Sequence, residues 1–254
     1  MKILVYCALL VFALSCKKSG TDIEAVHQDT VLDEYKDWYT LKAPVDDRIV
    51  GVWGDYNKTI LISTMSKIFR TTDQGKNWVK VHEQSIGMPG IVKHQDTLFT
   101  MSGLSSQGNG IVSEQILIHA DNFSVDDGKT WQRYAGHNPA LRDLPQLGSA
   151  DVRFRINPVS AKTGISWKIN QVFLDGPNAT MGMFETPGII SSTGMKMDLP
   201  QLHQLNSLYL DSQKRIYITG TDAVCETGFS GKKFGYCNSL AGRGVVYVSK
   251  NSFD

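Results

Sequence analysis

Thr71-Thr72-Asp73-Gln74-Gly75-Lys76-Asn77-Trp78 and Ser124-Val125-Asp126-Asp127-Gly128-Lys129-Thr130-Trp131 share one pattern, Ser/Thr-x-Asp-x-Gly-x-x-Trp. Ordinary residue frequencies do not produce so specified a pattern twice in one chain. The spacing has a physical reading. The Asp carboxylate accepts hydrogen bonds from backbone N–H groups of its own turn, the hydroxyl adds a further local bond, the Gly takes a positive φ, and the Trp returns into the core. Each octapeptide follows a short apolar run, Lys67-Ile68-Phe69-Arg70 in one case and Ile116-Leu117-Ile118-His119 in the other. Each is therefore expected to be the turn of a β-hairpin.

The flanking sequence extends the same rhythm. Apolar or alternating runs recur at Ile49–Trp53, Thr59–Ser63, Thr97–Met101, Gln115–His119, Val152–Ile156, Val172–Leu174, Leu208–Leu210, Arg215–Thr219 and Gly244–Ser249, separated by Gly, Asn and Asp clusters. No long stretch keeps helical period with caps, so the fold class is all-β with little helix. Ser102-Gly103-Leu104-Ser105-Ser106-Gln107-Gly108-Asn109-Gly110 lacks the Lys and following helix of a phosphate loop and is expected to be a connecting loop.

The paired octapeptides resemble the Asp-box, or BNR repeat, of sialidase-like β-propellers. The resemblance is carried by Thr71, Asp73, Gly75 and Trp78, and by Ser124, Asp126, Gly128 and Trp131. It implies a small β-propeller of four or five blades, with each box joining the third and fourth strands of a blade. Val245-Val246-Tyr247-Val248-Ser249-Lys250-Asn251-Ser252-Phe253-Asp254 looks like the run-in to a third, degraded box, with Asn251 in place of Asp and Phe253 in place of Gly. Asp37-Trp38-Tyr39-Thr40-Leu41 resembles the strand after a box. N- and C-terminal strands are thus expected to share one blade and close the ring, with Trp38, Trp78 and Trp131 as equivalent core anchors. The stretch from Gln132 to Gln201 then holds one large blade or two irregular ones.

For function, the resemblance implies boxes remote from the active site, so Asp73 and Asp126 are structural. Sialidases of this fold use an arginine triad, a Tyr nucleophile with a Glu partner, and an Asp acid/base. Their first arginine lies in a Phe/Tyr-Arg-Ile-Pro motif ahead of the first box. Here the nearest string, Phe154-Arg155-Ile156-Asn157-Pro158, follows the second box and has Asn157 in place of Pro. Arg153 and Arg155 alternate with apolar residues and so share one face of a strand, either as a carboxylate-binding clamp or as a solvated outer face. Asp55, Asp151, Asp175, Asp211 and Asp222 stand near strand ends, but no spacing selects a catalytic pair. The expectation is a propeller that binds a glycan or cell-envelope protein, or scaffolds an assembly, without catalysis. The alternative is a glycoside hydrolase of the sialidase-like group.

The N-terminus sets the compartment. Lys2 precedes the apolar run Ile3–Leu14, too short to span a bilayer and suited to a signal-peptide core. Ala13-Leu14-Ser15-Cys16 resembles the lipobox of bacterial lipoproteins, which implies cleavage before Cys16 and acylation of its thiol. The domain organisation is then a signal peptide over residues 1–15, a lipidated flexible tether over residues 16–33, and the propeller over residues 34–254. Lys17-Lys18 suits the cell envelope of a Gram-negative bacterium, with the outer membrane as the expected site. With Cys7 in the signal and Cys16 lipidated, Cys225 and Cys237 remain, read as a disulfide closing one loop, with two free thiols as the alternative. Removing Lys2 from the 26 basic residues balances them against 25 acidic ones. That offers no basic field for nucleic acid, and the membrane is met through the anchor only. The six histidines form no HExxH or HxH pattern, so no metal or other cofactor is expected. Cys16→Ala is expected to move the protein from the membrane to the soluble fraction and to abolish incorporation of radiolabelled fatty acid.

Overall fold

The computed structural model describes residues 31–253 except 86, 108–113, 135–153, 162–163, 177, 180–181, 183, 202 and 223–241. Cys16, Arg153, Cys225 and Cys237 lie outside the described residues. The described residues form four antiparallel sheets and no α-helix. The first blade is β2 (Gly51–Gly54), β3 (Ile60–Ser63), β4 (Lys67–Thr71) and β5 (Val79–Glu83). The second holds β6 (Gly90–His94), β7 (Thr97–Gln107), β8 (Glu114–Ser124), β9 (Gln132–Arg133) and β10 (Arg155–Asn157). The third is β11 (Val159–Ser160), β12 (Ser166–Phe173), β13 (Phe184–Ser191) and β14 (Lys196–Asp198). In the fourth, β15 (Ser207–Leu210), β16 (Ile216–Thr221) and β17 (Gly244–Ser249) are completed by β1 (Trp38–Lys42) from the other end of the chain. The protein is thus an all-β, four-bladed propeller, and the stretch after Gln132 supplies one complete further blade.

Packing between blades explains the burial pattern. Every residue of β3, β16 and β17 is buried, whereas β5 at the rim is mostly exposed. Strands covered on both faces lose the alternating pattern and become continuous apolar runs, as in Val245-Val246-Tyr247-Val248. The core is correspondingly divided into clusters along the seams. Trp167 and Ile189 of the third blade pack with Ile218 and Tyr247 of the fourth. Leu41 and Val246 pack with Ile60 and Phe69 of the first, and Leu61 and Ile68 pack with Ile91 and Leu98 of the second. Each buried aliphatic side chain contributes about 1.5–3 kcal/mol relative to exposure.

The ring closes where β1 pairs with β17, from Trp38 opposite Ser249 to Lys42 opposite Val245. This register matches the boxes. Arg70 stands opposite Val79 and Phe123 opposite Gln132, so one further step sets Thr71 against Trp78 and Ser124 against Trp131. The three tryptophans are equivalent in register but not in burial. Trp38 is 3 % exposed, beneath Phe253 at 6.5 Å and edge-on to Tyr247 at 6.2 Å. Trp78 and Trp131 are half-buried at the margins of their clusters. The difference comes from the cluster around Trp38 at the junction of the third and fourth blades, which also holds Val31, Tyr35 and Phe253.

The two octapeptides form closely matched turns. Thr71 Oγ1 donates to Asp73 Oδ1 at 2.7 Å and accepts from the Gly75 N–H at 3.1 Å. Ser124 Oγ does the same with Asp126 at 2.8 Å and Gly128 at 3.0 Å. The carboxylates accept the N–H groups of Asn77 at 2.9 Å and Thr130 at 3.0 Å. A further bond from Asn77 Nδ2 to Asp73 Oδ2 at 2.7 Å leads these in holding the Asp73 carboxyl down to about 2, and the Thr130 N–H leads the downward shift at Asp126. The glycines have the expected positive φ, 82° and 75°, but so do Gln74 at 63° and Asp127 at 62°. Paired left-handed residues are the signature of a tight hairpin turn that matches strand twist.

One expectation is corrected in the second blade. Ser102–Gln107 is not a loop; it is the continuation of β7, eleven residues long and paired with the equally long β8. The hairpin outruns β6, and the outer edge of β8 is shared: β9 pairs at Asn122 and Phe123, β10 at Ile116 and Gln115. β10 then leads into β11, carrying Arg155 and Ile156 to the channel wall.

The box turns also lock neighbouring blades. A Cβ on Gly128 would stand 2.6 Å from Leu61 Cδ1 of the first blade, and Leu61 is fully buried. Gly128→Ala is expected to cost about 2–4 kcal/mol, combining left-handed strain with overpacking. Gly194→Ala has a similar φ of 88° but nothing within 4 Å, and is expected to cost only about 1–2 kcal/mol. Denaturant unfolding of the two variants checks the difference.

Candidate functional site

The inner strands β2, β6, β11 and β15 surround a channel cavity of about 590 Å³. The first residues of β2 and β6 come together closely: a Cβ on Gly51 would lie 2.6 Å from the Gly90 Cα, so only glycine permits this approach. Leu117, Arg155 and Ile156 complete that end of the wall. Where the inner strands finish, the wall is polar and more exposed, and it carries Asp55, Lys58, Lys93, Asp127, Asp211 and Lys214. This end is the candidate site.

Two equivalent turns build it. Asp55-Tyr56-Asn57-Lys58-Thr59 joins β2 to β3, and Asp211-Ser212-Gln213-Lys214-Arg215 joins β15 to β16. In each the Asp carboxylate accepts the N–H two residues on, Asn57 at 2.8 Å or Gln213 at 2.8 Å. In each the Asp carbonyl accepts the lysine N–H, Lys58 at 2.9 Å or Lys214 at 3.1 Å. Asx-turns of this kind bring the chain back within four residues and set the lysine at the turn's end.

Arg215 joins the two turns. Its Nη2 donates to Asp55 Oδ1 at 2.6 Å and its Nε to Asp211 Oδ2 at 2.9 Å. All three side chains are buried or nearly so, with Arg215 7 % exposed. Tyr217 Oη donates to Asp211 Oδ2 at 3.0 Å and accepts the Tyr56 N–H at 2.7 Å. Burial pushes the Tyr217 hydroxyl well above its ordinary value, and the adjacent Asp211 carboxylate raises it further. Gln213 Nε2 adds a bond to Asp55 Oδ2 at 3.2 Å. The cluster satisfies its charges internally, as ions removed from water require.

A similar clasp anchors the second box. Arg70 of the first blade donates from Nη2 to Asp127 Oδ2 at 2.9 Å and from Nε to the Asp127 carbonyl at 3.0 Å. Thr59 Oγ1 donates to the same carboxylate. Asp127 lies in the cavity wall, so the second box is not remote from the channel, whereas no residue of the first box lines this cavity. First and third strands of a blade run the same way, so their following turns meet at one end.

Between the fourth and first blades lies a second recess, where Tyr39 stacks on Tyr56 with centroids 4.6 Å apart and planes at 9°. Lys250 lies 5.0 Å from the Tyr39 ring centre and Arg215 5.6 Å from that of Tyr56. With a cation beside each ring, this column serves as a seam between blades.

Among the sequence candidates, Asp55 and Asp211 meet at Arg215, which the sequence reading did not single out. Asp175 lies outside the cavity wall, and Asp222 accepts the Arg243 N–H at 2.7 Å. Asp151 and Arg153 lie outside the described residues. Arg155 is not on a solvated outer face; it lines the cavity, half-buried, with Nη2 3.3 Å from Glu114 Oε2. The signal that marks the site is the repeated Asp-x-Asn/Gln-Lys of the two turns. Among the described residues, no cluster of three His, Cys, Asp or Glu side chains forms a metal site. Arg215→Met is expected to destabilise the fold by about 3–5 kcal/mol, because two buried carboxylates lose their counterion; chemical denaturation measures it.

No family model matches this chain, and no curated protein does. Among solved structures 23 chains match. One is YCF48 bound to D1 peptide, similar with a TM-score of 0.26 and 12 % identity over 82 % of this chain and 74 % of that chain. The propeller architecture stands on the strand pairings themselves: four sheets around one channel, closed by the β1–β17 ladder.

Proposed function

We propose that this chain is a non-catalytic binding propeller, held by a lipid on Cys16 at the outer membrane of a Gram-negative cell envelope. It presents the end of its channel to a glycan or a cell-envelope protein. The observation that carries this reading is the occupation of Asp55 and Asp211 by one guanidinium, at 2.6 and 2.9 Å. Glycoside hydrolysis requires one carboxyl group to hold a proton for the leaving oxygen and another to act as nucleophile or base. A shared arginine engages an oxygen of each carboxylate and blocks their approach to a substrate. Tyr217 is no better placed as a nucleophile, since its hydroxyl is buried, raised in pKa and already donating to Asp211.

A panel of chromogenic glycosides that includes a sialoside tests the reading. The purified protein is expected to leave all of them intact, while immobilised glycans or envelope extracts retain it. Turnover lost in a folded Asp55→Asn or Asp211→Asn variant would overturn the proposal in favour of a glycoside hydrolase.

A further inference from the structure

We infer that the open end of the channel binds a phosphate-bearing ligand through Lys58, Lys93 and Lys214. The inference rests on the binding reading above and specifies the chemistry of its ligand. The three lysines come from three blades. Lys58 stands in the turn after β2, Lys93 near the end of β6, and Lys214 in the turn after β15, all in the wall of the same cavity. Lys58 and Lys214 hold the same position in two turns with the same hydrogen bonds, so their convergence is built into the blade repeat.

Charge balance in the wall points to an anion. Asp55 and Asp211 share Arg215, and Asp127 is bound by Arg70. Among the described residues, no carboxylate pairs with Lys58, Lys93 or Lys214. Three lysines without a carboxylate partner among the described residues therefore line a cavity whose carboxylates are already engaged, beside Trp53, Ile91 and Leu208. Low-dielectric walls focus the field of such a group of like charges and raise the local concentration of anions. A cavity of about 590 Å³ lies in the range of small-molecule sites.

The donor type selects among anions. A planar carboxylate is best matched by the fork of an arginine, but Arg155 of this wall pairs with Glu114 at 3.3 Å, and Arg215 behind it holds Asp55 and Asp211. Lysines are point charges with rotatable donors, which suit a tetrahedral, multiply charged oxyanion approached from several sides. A soluble phosphate ester and a phospholipid headgroup both present that chemistry.

The test uses the full-length chain carrying Cys16→Ala, so that vesicle binding cannot come from an acyl anchor. Calorimetric titration with pyrophosphate at low ionic strength is expected to show binding. It should be at least tenfold weaker in the combined Lys58→Gln, Lys93→Gln and Lys214→Gln variant, whose thermal melt stays unchanged. Citrate, of similar charge, should bind at least tenfold more weakly than pyrophosphate. Lysine-dependent flotation with phosphatidylglycerol vesicles, but not phosphatidylcholine vesicles, would assign the phosphate to a lipid headgroup; lysine-dependent calorimetric binding alone would assign it to a soluble ester. The inference is overturned by pyrophosphate affinity that survives in the triple variant, by equal affinity for citrate, by preference for a hexaglutamate peptide, or by no binding to pyrophosphate or vesicles. Glycoside cleavage with lysine-dependent pyrophosphate binding intact would overturn the non-catalytic reading alone.

Discussion

The ladder between β1 and β17 is the constraint on which the ring depends. Five residue pairs, Trp38–Ser249 through Lys42–Val245, join the two ends of the described chain inside one sheet. Without them β17 would present an unpaired, largely apolar edge, the kind of strand that recruits other chains. The ladder also places Leu41 in the seam with the first blade and Trp38 in the seam with the third. One strand thus contributes to two interblade clusters, which ties closure of the ring to completion of the core.

The same closure positions the charged cluster. Arg215 precedes β16, whose Tyr217 pairs with Val248 of β17, and its aspartate partners lie in adjoining blades. Asp55 belongs to the first blade and Asp211 to the fourth, so the guanidinium spans the seam that β1 completes. The stack of Tyr39 on Tyr56 crosses the same seam nearby. Because the charges at this junction are already matched, the lysines standing free of it give the channel end its chemical character.

Much of the architecture is legible in short local patterns. The paired octapeptides specify their turns because each bond is made within four residues: hydroxyl to Asp, hydroxyl to Gly N–H, Asp to the following N–H. The continuous apolar run of β17 and the Trp-containing strand β1 announce a closing blade for the same local reason. Ser102–Gln107 looks like a loop because its residues are mostly small and polar, whereas pairing with Glu114–Ile118 makes it a strand. Cross-strand partners, not intrinsic preference, decide such segments.

The candidate site divides along the same line. The sequence by itself determined the all-β class, the positions of the two box turns and the strands that close the ring, since hydrogen-bond patterns and apolar runs are encoded within a few residues. It also contained Asp-x-Asn/Gln-Lys twice, at Asp55 and Asp211, although 156 residues separate the copies. Only the tertiary structure decided that these turns meet across a blade junction, that Arg215 engages both aspartates, and that Asp127 of a box reaches the channel wall. The physical reason is that a charge takes its function from whichever opposite charge lies within a few ångströms, and that distance is fixed by ring closure rather than by position along the chain.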